Sequence, residues 1–307
     1  MGHTVPDVRD GARMAEVLQE AAWTERERAH RRRVERFLAR HGTRDGEAHP
    51  VWDFLFSYYS LKPRQLRRWH PGYGVVLSGR QAGRYLRWSG YGAHPDGVTV
   101  TKAHLRGRAD TVAFIGRLLR ATAARPPRLN CFGLHEWAMV YRAPSVRHHR
   151  VPLRLGARAT DAVVEANTLR CSHFDAFRFF TPAARPRNSA ELTREAQVAT
   201  EQPGCVHATM DMYKWCYKLG PLVDSQLLVD CLELAAAARE LDMRASPYDL
   251  SGYGFAPIRI EEPEGRAEYV RRQHDIALAA APLREALADA CAQLTAAASD
   301  ETHVTDG

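Results

Sequence analysis

Apolar residues recur at intervals of three and four along several long segments of this chain, and this periodicity constrains its fold most strongly. In residues 225–241 the apolar positions that fall on one helical face are Leu227, Leu228, Cys231, Leu232 and Leu234. Residues 109–124 show the same spacing, and the alanine-rich residues 267–298 are expected to form two helices separated at Pro282. The sequence therefore predicts a mostly α protein, with a single catalytic helical domain over residues 48–298.

Three segments depart from this helical domain. Residues 1–47 form a lead-in with a charged helix from Thr24 to Arg40, which the Thr24 side chain can cap. Residues 72–100 contain short apolar and aromatic runs divided by glycine and proline, which favours a small irregular or β-containing insert. A polar helix is expected over residues 191–201, and residues 299–307 are expected to form a disordered tail.

The composition excludes several classes of protein. No run reaches the roughly eighteen uninterrupted apolar residues that a membrane-spanning helix needs, and the polar start from Met1 to Asp10 lacks the apolar core of a secretory signal. The six cysteines have no paired short spacing and are expected to be reduced thiols. We therefore expect a cytoplasmic protein without a membrane partner.

The charge allows a polyanionic partner without requiring one. The formal net charge is +7, and arginine greatly outnumbers lysine. Arginine suits phosphate groups, but a GC-rich genome also produces arginine-rich proteins. The motifs GxGxxG, GxxxxGK[ST], GxSxG and HExxH are all absent, so the commonest dinucleotide, P-loop, serine hydrolase and zincin signals are missing.

Four motifs place a histidine close to an acid in aromatic and apolar sequence. They are HPVWD with His49 and Asp53, LHEW with His135 and Glu136, CSHFDAF with His173 and Asp175, and VHATMD with His207 and Asp211. The four-residue spacing of the first and last pairs puts both side chains on one helical face, whereas the CSHFDAF pair shares a face only in an extended segment. Any single pair is more often a helix cap or a satisfied buried acid, but four pairs together favour one shared pocket.

Each candidate site residue has a structural alternative. The candidate catalytic residues are Asp175, Glu136, Asp211, His173, His135 and His207. The candidates for a slot that stacks a planar base are Trp137, Phe174, Tyr213 and Trp215, although such aromatic residues are more often core. Cys131, Cys171 and Cys205 each precede one of the histidines, and small buried thiols are favoured over metal ligands there. Arg244, between Asp242 and Asp249, is expected to be an ion-paired brace.

Several of these motifs together resemble a known family. The stretches HPVWDFLFSYYS, RRWHPGYGVVL, CFGLHEWAMVYR, CSHFDAFRFFTP, EQPGCVHATMDMYKWCYKL and ELDMRASPYDL resemble actinobacterial proteins labelled 3-methyladenine DNA glycosylase. The resemblance runs roughly from Ala48 to the alanine-rich end. It implies a DNA repair enzyme that excises alkylated purine bases by hydrolysis of the N-glycosidic bond, with alkylated DNA as partner and no cofactor. No catalytic residue is carried over from the family.

Two functional hypotheses follow from these residues. In a glycosylase, Asp175, Glu136 or Asp211 would orient water or stabilise the sugar cation, with Asp175 ranked first, and arginines in residues 148–158 and 185–187 would hold phosphates. The alternative is a metal-dependent oxygenase or hydrolase of a small molecule that binds iron or zinc. Its candidate ligands are His135, Glu136, His173, Asp175, His207 and Asp211.

Overall fold

A computed structural model of the chain describes residues 16–42, 49–144 and 151–299. The helices are α1 (Glu20–His41), α2 (Asp53–Ser57), α3 (Pro63–Leu66), α4 (Lys102–Arg106), α5 (Ala109–Ala123), α6 (Leu134–Ala138), α7 (Gly156–Glu165), α8 (Phe174–Phe177), α9 (Gln197–Thr200), α10 (Val206–Leu219), α11 (Ser225–Arg244) and α12 (Pro263–Ser299). The strands are β1 (Glu16–Leu18), β2 (Val75–Leu77), β3 (Tyr91–His94) and β4 (Gly97–Val100). The mostly α fold with a small β insert is confirmed. The predicted start of the lead-in, the boundary at residue 48, the arginine-bearing residues 148–150 and the tail beyond Ser299 lie outside the described residues.

The β insert is a four-stranded sheet in the order β1, β2, β4, β3. Strand β1, which comes from the predicted lead-in, pairs in parallel with β2 so that Val17 lies opposite Val76. Strands β3 and β4 form a hairpin in which His94 pairs with Gly97. Gly97 has a φ of +150°, and a Cβ atom there would lie 2.0 Å from the carbonyl oxygen of Leu77. This turn therefore requires glycine.

Helix α10 lies at the centre of the helical layer. It packs along α11, and α12 packs against both α11 and α5. Every residue of α10 from Val206 to Cys216 is buried, as expected for a helix covered on all sides. His207, Asp211 and Lys214 are its acidic and basic residues in this stretch, and their spacing of four and three places them on one face. The fold therefore buries a line of ionisable side chains in its centre.

Two sequence predictions about helix starts and polar segments are wrong. Helix α1 begins at Glu20, so Thr24 lies one turn inside it and donates its hydroxyl hydrogen bond to the Glu20 carbonyl oxygen instead of capping the helix. In residues 191–201 only one turn, Gln197–Thr200, is helical. This segment lacks an apolar face long enough to stabilise a longer helix by packing.

The alanine-rich C-terminal segment is one continuous helix instead of the predicted pair. Pro282 lies inside α12 and leaves the carbonyl of Leu278 without its intrahelical partner. Leu278 is 60% exposed, so that carbonyl lies on the solvent side, where water can replace the lost partner. No helix of the described residues, α12 included, is both long and apolar enough to cross a membrane.

Candidate active site

A cavity of about 560 Å³ opens beside α10 and is lined by most of the predicted catalytic residues. One part, here called the aromatic wall, consists of Phe54, Tyr58, Tyr59, Phe179 and Tyr253. The other part, here called the ionisable floor, consists of the buried residues Glu136, His173, Asp175, His207 and Asp211. The cavity therefore joins a surface for a flat apolar group to a set of buried acids and histidines.

Short elements from distant parts of the chain place these side chains. Helix α10 carries His207 and Asp211, and α6 carries Glu136. The α6 helix follows Gly133, which has a φ of +71° and whose Cβ position lies 3.2 Å from the Cβ of Ala245. Glycine therefore allows the left-handed backbone and the close approach that α6 needs before its first turn.

The predicted convergence on one pocket is confirmed as geometry. Five of the six candidate catalytic residues line the cavity. The sixth, His135, lies behind the floor, with its ring centroid 4.4 Å from that of His207. His173 is extended (φ −110°, ψ 115°), but Asp175 lies in helix α8, so the segment is not extended as the prediction required, although both side chains line the cavity. Their chemical roles remain predictions.

The residues behind the floor form a closed network around Asp242. The Nε2 atom of His135 lies 2.6 Å from Asp242 Oδ1. Arg239 donates to Glu136 Oε1 at 2.9 Å and to Asp242 Oδ2 at 3.4 Å. Burial lowers the pKa of His135, but Asp242 and Cys131 more than offset this, so its pKa lies well above the ordinary value. Two carboxylates thus face two buried cations.

A second network runs through Asp211. The Nε2 atom of His173 lies 3.1 Å from Asp211 Oδ2 and 3.4 Å from Glu201 Oε1. Lys214 contacts the same Asp211 oxygen, and Tyr59 donates its hydroxyl to Asp211 Oδ1 at 3.1 Å. Burial raises the pKa of Asp211, but Lys214 and His173 lower it by more, so its pKa lies below the ordinary range. Asp211 is therefore a stable anion and a weak base.

His207 differs from the other two buried histidines. Burial lowers its pKa, and the neighbouring His135 and His173 lower it further, so its pKa lies well below the ordinary value. Among the described residues its Nδ1 atom has no hydrogen-bond partner. His207 is therefore a neutral imidazole that lines the cavity and can accept a proton, and its lowered pKa makes it a weak base.

The carboxylates that line the cavity differ in how strongly cations compensate them. Asp175 is contacted by Arg194 at 2.8 Å, Lys214 at 3.1 Å and Arg178 at 3.3 Å. Burial raises the pKa of Asp175, but Lys214 in particular holds it below the ordinary value. Three cations already neutralise this carboxylate, so it has little charge to offer a substrate.

Asp53, a further carboxylate at the cavity, has a different environment. Its Oδ2 accepts a hydrogen bond from the backbone N–H of His49 at 2.9 Å, and no ion pair to Asp53 is found among the described residues. The HPVWD motif pointed to this residue, but the sequence alone did not rank it among the catalytic candidates. Asp53 is therefore the lining carboxylate best able to complement a cationic ligand.

The predicted base-stacking residues do not line this cavity, which corrects that assignment. Trp137 is fully buried and donates its indole N–H to the Ala245 carbonyl, and Tyr213 is also fully buried. Trp215 packs against Phe114, while the guanidinium of Arg194 covers Phe174. These side chains pack in the core or against an arginine and are therefore not part of the cavity surface. The aromatic wall comes mainly from the stretch HPVWDFLFSYYS.

The sequence reasoning missed Glu201, Lys214, Arg239 and Asp242 as parts of the site. Arg244 was expected to pair with Asp242, but it donates to the Ala256 carbonyl and pairs with Glu240. Asp242 instead pairs with Arg239, three residues earlier on α11. Asp211 and Lys214 are also three residues apart. An acidic and a basic residue on one face of a buried helix was therefore the sequence signal that could have identified these site residues.

Two sets of described side chains have the composition of a metal site. They are His135, His207 and Asp242, and His173, Glu201 and Asp211, each with its ligand atoms within 4.8 Å of one another. Neither set includes a cysteine, and burial raises the pKa of Cys171 and of Cys205. These two cysteines are therefore neutral thiols beside the site.

Comparison with known proteins gives no further guide to the function. No protein-family model matches the chain, and no curated protein and no solved structure is significantly similar to it. The function is therefore proposed from the site and the sequence motifs.

Proposed function

We propose that this protein is a DNA glycosylase-like hydrolase that excises alkylated purine bases of the 3-methyladenine type. The observation that carries the proposal is the cavity, in which an aromatic wall and the uncompensated carboxylate of Asp53 lie beside a buried histidine and acid floor. The resemblance of the sequence motifs to proteins labelled 3-methyladenine DNA glycosylase supports the same substrate class.

The cavity suits a flat, positively charged base. The rings of Phe54 and Tyr58 stack on each other, with centroids 4.7 Å apart and planes 9° apart, and the Arg239 guanidinium lies over Phe54 at 4.4 Å from its ring centroid. No third ring fits between rings this close, so a flat base would stack on another face of the aromatic wall. Aromatic faces attract cations, and enzymes stack a flipped base against such faces. Asp53 supplies the opposite charge, and about 560 Å³ is an ordinary volume for a ligand pocket. An alkylated purine is both planar and cationic, so it matches the wall and the carboxylate.

The floor provides the groups for hydrolysis. The bond between the base nitrogen and the sugar carbon breaks, and its electron pair neutralises the cationic base. The sugar then carries positive charge, which the negative lining carboxylates Asp53 and Glu136 stabilise. Water attacks the sugar carbon, and its proton passes to the neutral imidazole of His207. No cofactor is needed for this route.

Arginines near the cavity would contact the DNA backbone. Arg178 and Arg194 contact the lining residue Asp175, and their side chains are 41% and 55% exposed. Arg178 also donates to the Tyr58 hydroxyl at 3.1 Å. Exposed guanidinium groups beside the opening can bind phosphates while the base occupies the cavity.

The arginines that the sequence assigned to phosphates are partly engaged elsewhere. Arg154 forms a bidentate pair with Glu261, at 2.8 and 3.0 Å. Arg187 donates to the backbone carbonyls of residues 164 and 165. Arg158 and Arg185 are exposed, and Arg185 also donates to the Arg178 carbonyl at 3.1 Å. Of the described arginines in that prediction, these last two remain suited to phosphate contact.

A metal-dependent oxygenase or hydrolase of a small molecule is the second candidate. The specific observation in its favour is the pair of buried histidine and carboxylate sets at and behind the floor. Iron or zinc at about one ion per chain in protein purified without added metal, combined with no release of alkylated bases, would favour this function.

Release of free base from DNA tests the leading proposal. The purified protein is incubated with duplex DNA that contains 3-methyladenine and 7-methylguanine, and free bases are separated by chromatography. We expect free methylated purine and matching abasic sites, and no base from unmethylated duplex of the same sequence. Absence of base release from folded protein would contradict the proposal.

A further inference from the structure

We infer that the floor of the cavity binds one divalent cation through His173 Nε2, Asp211 Oδ2 and Glu201 Oε1. Two of the three residues, His173 and Asp211, line the cavity, so the open coordination positions of the ion face it. The inference concerns the ion itself and does not depend on an alkylated purine being the substrate.

The ligand atoms have the separations that a bound ion requires. The His173 nitrogen lies 3.1 Å from the Asp211 oxygen and 3.4 Å from the Glu201 oxygen. Two ligand atoms that are each about 2.1 Å from a metal are about 3.0 Å apart at an octahedral angle and about 3.4 Å apart at a tetrahedral angle. The three atoms also lie within 4.8 Å of one another. Both separations from the His173 nitrogen therefore match two ligands of one ion.

The imidazole of His173 cannot serve both carboxylates of this cluster. Its Nε2 atom can carry only one hydrogen, yet two carboxylate oxygens face it. Other donors reach these oxygens, since Gln197 donates to Glu201 Oε1 and Lys214 donates to Asp211 Oδ2. Within the described residues, the Nδ1 atom of His173, which is 1% exposed, has no partner. A cation between the three ligand atoms would contact both carboxylates and the Nε2 lone pair at once.

The buried negative charges of Glu201 and Asp211 also favour a bound cation. Glu201 and Asp211 are both at most 2% exposed, and burial of uncompensated charge is costly. Lys214 contacts Asp211 Oδ2, but it also contacts Asp175 at 3.1 Å. Arg194 and Arg178 also contact Asp175, but of these cations only Lys214 contacts Asp211, and no lysine or arginine pairs with Glu201 among the described residues. A divalent ion on Glu201 and Asp211 would leave Lys214 to Asp175.

Neighbouring side chains hold two of the ligands in place. Gln197 donates its amide to Glu201 Oε1 at 2.6 Å, and Tyr59 donates its hydroxyl to Asp211 Oδ1 at 3.1 Å. Hydrogen bonds of this kind orient metal ligands in known sites. Three protein ligands with open positions towards a cavity are typical of a catalytic ion, which binds and activates water.

The second histidine and carboxylate set is less suited to an ion. His135 Nε2 and Asp242 Oδ1 are 2.6 Å apart, which is a direct hydrogen bond and shorter than the separation of two ligands around a metal. Arg239 also contacts Asp242 at 3.4 Å and supplies a positive charge there. This set is closed by its own partners.

Titration with metal ions tests the inference. The full-length protein is treated with a chelator, dialysed, and titrated with Zn²⁺ by calorimetry and with Co²⁺ by visible absorption, because a nitrogen and two carboxylate oxygens suit both ions. We expect one ion per chain and the absorption bands of protein-bound Co²⁺. Absence of saturable binding at one ion per chain would overturn the inference.

Three variants locate the ion. Glu201→Gln keeps the size of a ligand but removes its charge, and we expect Zn²⁺ affinity at least about 100-fold lower. The same change at the exposed residue Glu262 is the matched control and should leave affinity unchanged. His207→Gln removes a member of the other set and should also retain affinity. Loss in His207→Gln with retention in Glu201→Gln would overturn the assignment.

Folding and function are separated from metal binding by two further measurements. A thermal melt of each variant shows whether it folds. If Glu201→Gln does not fold, His173→Gln takes its place, and we expect the same loss of Zn²⁺ affinity. Unchanged Zn²⁺ affinity in folded His173→Gln would contradict the inference. Base release is measured on the same preparations. Protein that binds the ion as expected but releases no methylated base supports the metal site and contradicts the proposed glycosylase function.

Discussion

The imidazole Nε2 of His135 lies 2.6 Å from Oδ1 of Asp242, although 107 residues separate them in the chain. Both side chains are buried, and Asp242 also contacts Arg239 at 3.4 Å. Replacement of Asp242 by asparagine would leave two buried cations, His135 and Arg239, facing the single anion Glu136. We expect the free energy of unfolding of Asp242→Asn to fall by about 3 kcal/mol in urea denaturation.

The matched control for this change lies on the same helix. Glu240 is more exposed than Asp242 and pairs with Arg244 at 3.4 Å on the surface. Glu240→Gln should lower the free energy of unfolding by less than about 1 kcal/mol, because exposed ion pairs contribute little. Equal stability losses in the two variants would contradict the importance assigned to the buried network.

Asp175 is expected to stabilise the protein more than it contributes to catalysis. It contacts Lys214, Arg194 and Arg178, so Asp175→Asn removes the shared partner of three cations. We expect the free energy of unfolding to fall by about 2 kcal/mol, which chemical denaturation measures. Base release by the folded variant should stay within about tenfold of the wild type. A loss of about 100-fold or more would restore Asp175 as the catalytic carboxylate.

His70 gives the stability of the protein a defined pH dependence. Burial, together with the charges of Arg68 and His30, lowers the pKa of His70 from 6.5 to about 4. The Nδ1 atom of His70 lies 2.9 Å from the Tyr91 hydroxyl. Below pH 6.5 the unfolded chain gains a proton that the folded protein does not, so stability falls until pH approaches about 4. Above pH 6.5 this contribution is fully present.

A substitution separates the contribution of His70 from those of other groups. Denaturation of wild type and His70→Gln is compared between pH 8 and pH 4, as an approximate working range. The wild type should lose stability relative to the variant as pH falls through this window. Parallel stability curves for the two proteins would show that His70 does not titrate as inferred.

DNA binding should depend on Arg194 through its charge. The side chain is 55% exposed beside the cavity residue Asp175. If it contacts a phosphate, Arg194→Gln should weaken binding to duplex DNA of any sequence and lower the slope of log affinity against log salt by about one. The exposed Arg259, which pairs with Glu262 at 3.4 Å, provides the matched control, Arg259→Gln. Identical salt slopes in wild type and Arg194→Gln would exclude this contact.

Features set by local periodicity could be predicted from the sequence. Helices α5 and α11 follow the spacing of their apolar residues, and the glycine- and proline-divided residues 72–100 contain three of the four strands. The recurrence of histidine beside acid also indicated a shared pocket, because buried ionisable groups need one another as partners. These signals lie within a few residues of one another in the chain.

Features set by distant contacts could not be predicted in this way. Asp242 contacts His135 on another helix, and the residues next to Asp242 in the chain do not indicate this contact. The aromatic residues of α10 were assigned to the cavity, but Tyr213 is fully buried in the core. Periodicity identifies a buried face without showing which other element covers it. A helix end was predicted at Pro282, but the helix continues through it. Whether water can reach the carbonyl that this proline leaves unpaired depends on tertiary packing, which the sequence pattern does not show.

The most direct test of the central claim compares two aspartates in the same base-release assay. Asp53 lines the cavity, whereas Asp96 is exposed in the turn between β3 and β4. Under single-turnover conditions with methylated duplex DNA, Asp53→Asn should release methylated purine about 100-fold more slowly than the wild type, because it loses the charge that complements the cationic base and sugar. Asp96→Asn should match the wild type, and thermal melts should show both variants folded. Release by folded Asp53→Asn at the wild-type rate would contradict the claim that this cavity excises the base.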